Sequence, residues 1–155
     1  MYDPRFVLRS FDSLSGDDKL KILSSLLDSL ILADSLYLLS SPNAPALYDA
    51  GLRYEPEELG RDDWRDVPSV LDHRGGDCED VSCWRVAELR LRYNVPAEQY
   101  VTSKLVNSSK WGPFTLYHIR VLIPSAYARF AVGSVEPGPH GALIEDPSRN
   151  LGMPG

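Results

Sequence analysis

The sequence predicts an α+β fold: helices first, then an antiparallel sheet. Three observations carry this. Apolar residues recur at helical spacing over residues 16–40 and again over 78–93. Beyond Pro96 the texture changes to short runs of branched and aromatic residues separated by turn clusters. Helices followed by a block of strands, rather than alternating with them, place the helices together against an antiparallel sheet.

Residues 1–16 read as an arm. The stretch "SGDDKLKILSSLLDSLILADSLYLLSS" then reads as one long helix. Ser15 with Asp18 three residues on resembles a capping box. Leu20, Leu23, Leu27, Leu30, Ile31 and Leu38 form an apolar face, widened by Ile22, Leu26, Ala33 and Leu36. Such breadth suits a core helix, or one that also docks on a partner. Asp28, Asp34 and several serines interrupt it, so no membrane span is expected.

Residues 40–76 are punctuated by Pro42, Pro45, Pro56, Pro68 and several glycines. An irregular segment follows from this, with a short helical turn around Asp63–Leu71. Its aromatics, Tyr48, Tyr54 and Trp64, need burial or a cleft to line.

The stretch "RGGDCEDVSCWRVAEL" opens the next helix. Asp77 is the N-cap and Asp80 completes an acidic capping box. Val81, Trp84, Ala87 and Leu91 supply its apolar stripe, and Asn94 and Pro96 end it. Four strands are expected next: "QYVTSKLV", "TLYHIRVLIP", "ARFAVGSV" and "ALIEDP".

Composition narrows the function. A chain of 155 residues with 43% hydrophobic and 25% charged residues suits one soluble domain. A net charge of −6 with no basic block argues against direct nucleic-acid binding. The start "MYDPRFVLRSFDSL" lacks the pattern of a signal peptide. Cys78 and Cys83 lie about 140° apart around a helix, so no disulfide is expected. With three histidines and no second cysteine pair, no metal or other cofactor is expected either.

The position of Cys78 points to chemistry. A helix N-terminus offers unpaired N–H groups and partial positive charge, which favour a thiolate and can later hold an oxyanion. Gly75 and Gly76 are expected to turn the backbone sharply and leave room for a substrate. Asp77, Glu79 and Asp80 oppose the thiolate, so they are expected to face the backbone or solvent. A histidine must then take the thiol proton. His118 sits mid-strand, on a rigid support; His73 is too close in sequence, and His140 lies in the exposed turn "PGPHGA". Asp146 can orient His118 if their strands pair, whereas Glu145 points to the other face.

"GGDCEDVSCWRVAEL", "YHIRV" and "IEDPSRNLGM", in this order, resemble the transglutaminase-like superfamily of papain-type cysteine peptidases. "LYDAGLRYEPE", "VPSVL" and "GDCED" are similar to small transglutaminase-like proteins of tailed bacteriophages and prophages. The resemblance runs from about Leu47 to Met153. It implies a papain/transglutaminase-like core in which a Cys-bearing helix packs on an antiparallel sheet. Residues 47–155 form that domain, and residues 1–46 are an arm and long helix for packing or interaction. It implies acyl transfer through Cys78 as nucleophile, His118 as base and then acid, and Asp146 as orienter. Trp64, Tyr54 or Tyr48 would add an oxyanion donor or line the cleft. The substrate would be a peptide or other amide. Partners would be phage structural proteins, or a second copy through the N-terminal helix, in a virion or the bacterial host cytoplasm. The alternative is a catalytically idle head, neck or tail component on the same scaffold.

Overall fold

The computed structural model describes residues 13–58, 62–110 and 112–154. The arm expected over residues 1–16 falls largely outside them. Helix α1 spans Gly16–Ser40; Ser15 caps it, its hydroxyl accepting from the Asp18 N–H at 3.2 Å. One side of α1, made of Leu23, Leu27, Leu30, Ile31 and Leu38, is buried. The other side exposes Leu32, Leu36 and Leu39 at about 60% each. By length and composition alone α1 could cross a bilayer; here its inner side packs on the central helix α3, Cys78–Tyr93. Both helices contribute to the same hydrophobic core, so residue 46 does not divide the core in two.

Between these helices run strand β1 (Arg53–Tyr54), helix α2 (Val67–His73) and strand β2 (Gly75–Gly76), with β1 and β2 paired in parallel. Helix α2 lies where the short turn was expected. Strands β3 (Glu98–Ser108) and β4 (Gly112–Ile123) form a long antiparallel hairpin. Strands β5 (Val135–Pro137) and β6 (Leu143–Glu145) complete a four-stranded antiparallel sheet in the order β3-β4-β6-β5. Helix α4, Pro147–Asn150, follows.

The fold is therefore mixed helix and antiparallel sheet behind a long N-terminal helix, as the sequence predicts. One element differs. "ARFAVGSV" is not a strand: Ser125–Phe130 form 3₁₀ turns, and pairing begins only at Val135. The reason is Arg85 on α3. Its guanidinium donates to the Phe130 carbonyl at 2.9 Å, and the Val132 N–H goes to the Glu145 carboxylate at 2.9 Å. Side chains thus take the backbone groups that a ladder would have used.

Alternation on β4 sets the layers. Ile119, Val121 and Ile123 are buried within the core, while His118, Arg120 and Leu122 point to the outer face. Glu145 pairs in register with Val121 and therefore points inward, where Arg85 Nε donates to it at 2.8 Å. The Arg85 guanidinium also reaches Glu88 at 2.8 Å, and Glu88 accepts from the Leu47 N–H at 3.0 Å. Tyr48 donates to Glu145 at 2.5 Å. This buried network ties α3 to β6 and to the segment after α1. Arg85→Ala leaves the buried Glu145 without its cation and Glu88 with only Arg92 at 3.5 Å, and is expected to cost about 3–5 kcal/mol, read as a fall in the urea midpoint.

A second buried acid lies on α1. Asp34 is inaccessible and accepts from the Val67 N–H at 2.9 Å, which fixes the start of α2. Burial, opposed by that bond and reinforced by Asp66, pushes its carboxyl up to about 8. The folded chain thus keeps a proton that the unfolded chain releases near pH 4. Stability is expected to fall as pH rises between those values, by an amount on the order of a few kcal/mol. Thermal unfolding at pH 5 and pH 8 measures this, and Asp34→Asn should flatten the slope.

Candidate active site

Strand β6 ends at Glu145, so above Val121 the edge of β4 facing away from β3 has no ladder partner. Helix α3 occupies that edge. Ser82 donates to the Ile119 carbonyl at 2.9 Å, and the Ile119 N–H lies close enough to Cys78 to favour its thiolate. Residues 78 and 82 are one helical turn apart, so both reach the same strand residue. The start of α3 is thereby held at the residue next to His118.

His118 and Asp146 are brought together. Asp146 follows Glu145 and so faces the outer side of the sheet, where His118 Nε2 and Asp146 Oδ2 lie 2.9 Å apart. Asp146 also caps α4, its other oxygen accepting from the Arg149 N–H at 3.2 Å. Burial acts to raise the Asp146 carboxyl, but the hydrogen bond and charge of His118 outweigh it and hold the carboxyl below its usual range. The contact leaves Nδ1 as the ring nitrogen able to take a thiol proton. A cleft of about 390 Å³ opens over the dyad, lined by Thr102, His118, Arg120, Glu136, Ile144 and Asp146.

Cys78 does not line that cleft. It is 8% exposed, and its thiol donates to Glu79 Oε2 at 3.2 Å. Burial and the adjacent Glu79 push the thiol well above its ordinary value, and the Ile119 N–H only partly opposes this. Among the described residues no hydrogen bond joins Cys78 to His118. The expectation for the acidic neighbours holds for Asp80, which accepts from the N–H groups of Arg65 (2.7 Å) and Asp77 (3.3 Å). It fails for Glu79, which turns back onto the sulfur instead of toward solvent. The local cause is a crowd of carboxyls: Asp77 and Asp80 are each raised to about 9 by burial first and by neighbouring acids next.

No protein-family model, curated protein or solved structure matches the chain. The site must therefore be read from its own chemistry.

The three aromatics fall in different places. Tyr54 stands beside Cys78: burial, and then the charges of Cys78, Asp77, Glu79 and Asp146, push its hydroxyl up to about 12. It therefore remains a proton donor at neutral pH. Tyr48 is not an oxyanion donor, because its hydroxyl is committed to Glu145 in the Arg85 network and accepts from Asn150 at 3.0 Å. Trp64 stands beside Asp62, whose charged form its indole favours. His140 lies in the exposed turn, as expected. Cys83 is fully buried against the Leu27 carbonyl, and neither cysteine is in a disulfide.

The glycines before Cys78 do not make the turn. Arg74 does, with φ 58° at the end of α2. Gly75 and Gly76 are extended and buried, and their lack of a side chain serves close approach. A Cβ on Gly76 would lie 2.9 Å from Asp80 Cβ, against the capping carboxylate. Gly76→Ala is expected to destabilise the chain by about 1–3 kcal/mol. Gly16→Ala, where the added carbon meets nothing within 4 Å, should shift the same urea midpoint by under about 0.5 kcal/mol.

Proposed function

We propose that the chain is a transglutaminase-like cysteine peptidase or amidase that works by acyl transfer through Cys78, His118 and Asp146. The observation that carries this reading is the contact of His118 with Asp146 at 2.9 Å beside the N-terminal turn of α3, which bears Cys78 and is tied through Ser82 to the next residue of the same strand. Three residues distant in sequence, of the types that acyl transfer requires, share one strand edge. The arrangement is also consistent with the papain-like core that the resemblance implies.

In the reaction, the thiol leaves Glu79 and gives its proton to His118 Nδ1. The sulfur then forms a bond to the amide carbonyl carbon, and the carbonyl electrons move onto oxygen. The Cys78 N–H precedes the first intrahelical bond, which runs from the Val81 N–H to the Asp77 carbonyl at 3.2 Å. It and the Tyr54 hydroxyl are the candidate donors to that oxyanion. Collapse breaks the carbon–nitrogen bond as His118 protonates the leaving amine. Water or a second amine, deprotonated by His118, then releases the acyl group.

The likeness of "LYDAGLRYEPE" and "GDCED" to tailed-phage proteins supports a virion or assembly setting, in a particle or in the host cytoplasm. The exposed Leu32, Leu36 and Leu39 on α1 offer the surface that self-association or a structural partner would use. A second reading, an idle scaffold, is favoured by the burial of Cys78 and its bond to Glu79. Timed alkylation with mass-spectrometric mapping separates the two. On the catalytic reading Cys78 reacts at least about tenfold faster than Cys83, and His118→Ala slows Cys78 by a similar factor. Equal, slow labelling of both cysteines, indifferent to His118→Ala, would leave only the scaffold.

A further inference from the structure

Strand β3 is an edge strand. The sheet runs β3-β4-β6-β5, and among the described residues no strand pairs with the other side of β3. Sheets usually guard such an edge with a proline, a bulge, a very short strand or several charges. β3 has few of these devices. It is 11 residues long and contains no proline. It pairs with β4 one-for-one from Glu98 to Ser108, without a bulge. Its charges are one acid, Glu98, and one base, Lys104, both exposed.

Those two charges select a partner. They stand an even number of positions apart, so both lie on the outer face of the sheet, with Thr102, opposite His118, between them. An antiparallel second copy of the same strand, centred on Val101, sets Glu98 of each copy against Lys104 of the other. It also sets Tyr100 against Thr102 and Val101 against itself, pairs of the kind that stabilise adjacent strands. One two-fold axis generates both ion pairs at once. Only this symmetric register joins the acid to the base; a centre one residue further on would set Glu98 against Val106.

A second, independent observation falls on the inner face. Val101 pairs with the buried Ile119, so Leu105, four residues on, shares the inner side, yet it is 69% exposed. Near the other end of β3, Gln99 Nε2 donates to Asp28 on α1 at 2.8 Å. Leu32, one helical turn beyond Asp28, is 60% exposed. The two-fold axis stands perpendicular to the sheet, so both α1 helices lie on the same side of the joined sheet. In the register centred on Val101, Leu105 of one copy lies diagonal to Gln99 of the other and is carried toward the Asp28–Leu32 turn of that copy. Two leucines that a single chain leaves in water are thus brought to one place.

We propose that two copies of this chain join edge to edge through antiparallel β3 strands, making one continuous sheet from two four-stranded ones. The interface differs from association through α1 alone, which would leave the β3 edge open. It does not depend on acyl transfer, and its readout is association rather than thiol reactivity.

Sedimentation velocity of the full chain over a concentration series is expected to show a monomer–dimer equilibrium. Lys104→Glu sets like charges against each other at both symmetric positions and should weaken the dimer at least about tenfold. Glu98→Lys combined with Lys104→Glu exchanges the charges and should return the affinity to within about threefold of the unaltered chain. Both residues are exposed, so circular dichroism should report the native fold for each variant. Hydrogen exchange provides a measurement free of mutation: the outward amides between Gln99 and Ser103 should slow as concentration rises through dimerisation. A strict monomer up to about 100 μM, a dimer indifferent to Lys104→Glu, a charge exchange that fails to restore association, or β3 exchange independent of concentration would each overturn the interface.

Discussion

The ion pair between Arg85 and Glu145 is the contact on which the rest of the arrangement hangs. It is buried, and it joins the middle of α3 to the short strand β6. Strand β6 is three residues long and has few ladder bonds of its own. Its register against β4 is therefore held as much by Glu145 reaching inward to Arg85 as by backbone pairing. Because side chains alternate along a strand, an inward Glu145 forces Asp146 outward, and outward is where His118 stands. A slip of one residue would turn both acids over. Asp146 would then face the core without its histidine, and Arg85 would lose its partner. The structural ion pair and the candidate catalytic dyad are thus two faces of one register.

The same constraint explains why β6 stops where it does. Past Glu145 the backbone turns into α4 with Asp146 as its cap, leaving the edge of β4 open at Ile119. Helix α3 fills that gap edge-on through Ser82, rather than lying only across the sheet face. Ile119 thereby satisfies its carbonyl with the Ser82 hydroxyl instead of a strand.

Much of this is legible in the sequence because it depends on local pattern. The caps at Ser15 and Asp77, both long helices, the β3–β4 hairpin, β6, and the opposite orientations of Glu145 and Asp146 all follow from spacing. What is not legible depends on long-range partners. Nothing around Ala128–Val135 announces that Arg85 and Glu145 will claim the backbone groups of Phe130 and Val132, so a β-rich run becomes 3₁₀ turns and loop. Tyr48 looks like a cleft residue until Glu145, 97 positions away, takes its hydroxyl. The acidic residues around Cys78 can be counted in the sequence, but that Glu57 and Asp62 join them requires the fold. The signal available was the density of acids in "EPEELGRDD", which reads equally as a solvated loop.

The environment of Cys78 follows from a conflict that its helix cannot avoid. The first turn of α3 is buried, so its N–H groups need acceptors, and the short carboxylates Asp77 and Asp80 provide them in a reciprocal box. Those caps hold the helix start, and the crowding of acids that raises both of them also opposes a thiolate one residue away. Glu79 sharpens the conflict by accepting the thiol proton's hydrogen bond. The resting site is therefore a protonated thiol held in place, next to a histidine already oriented by Asp146. Any step that activates the sulfur has to neutralise or displace Glu79, without loosening Asp77 and Asp80, on which the helix start depends. That condition separates the residues: Asp77 and Asp80 cap the helix start, whereas Glu79 is the acid that holds the thiol.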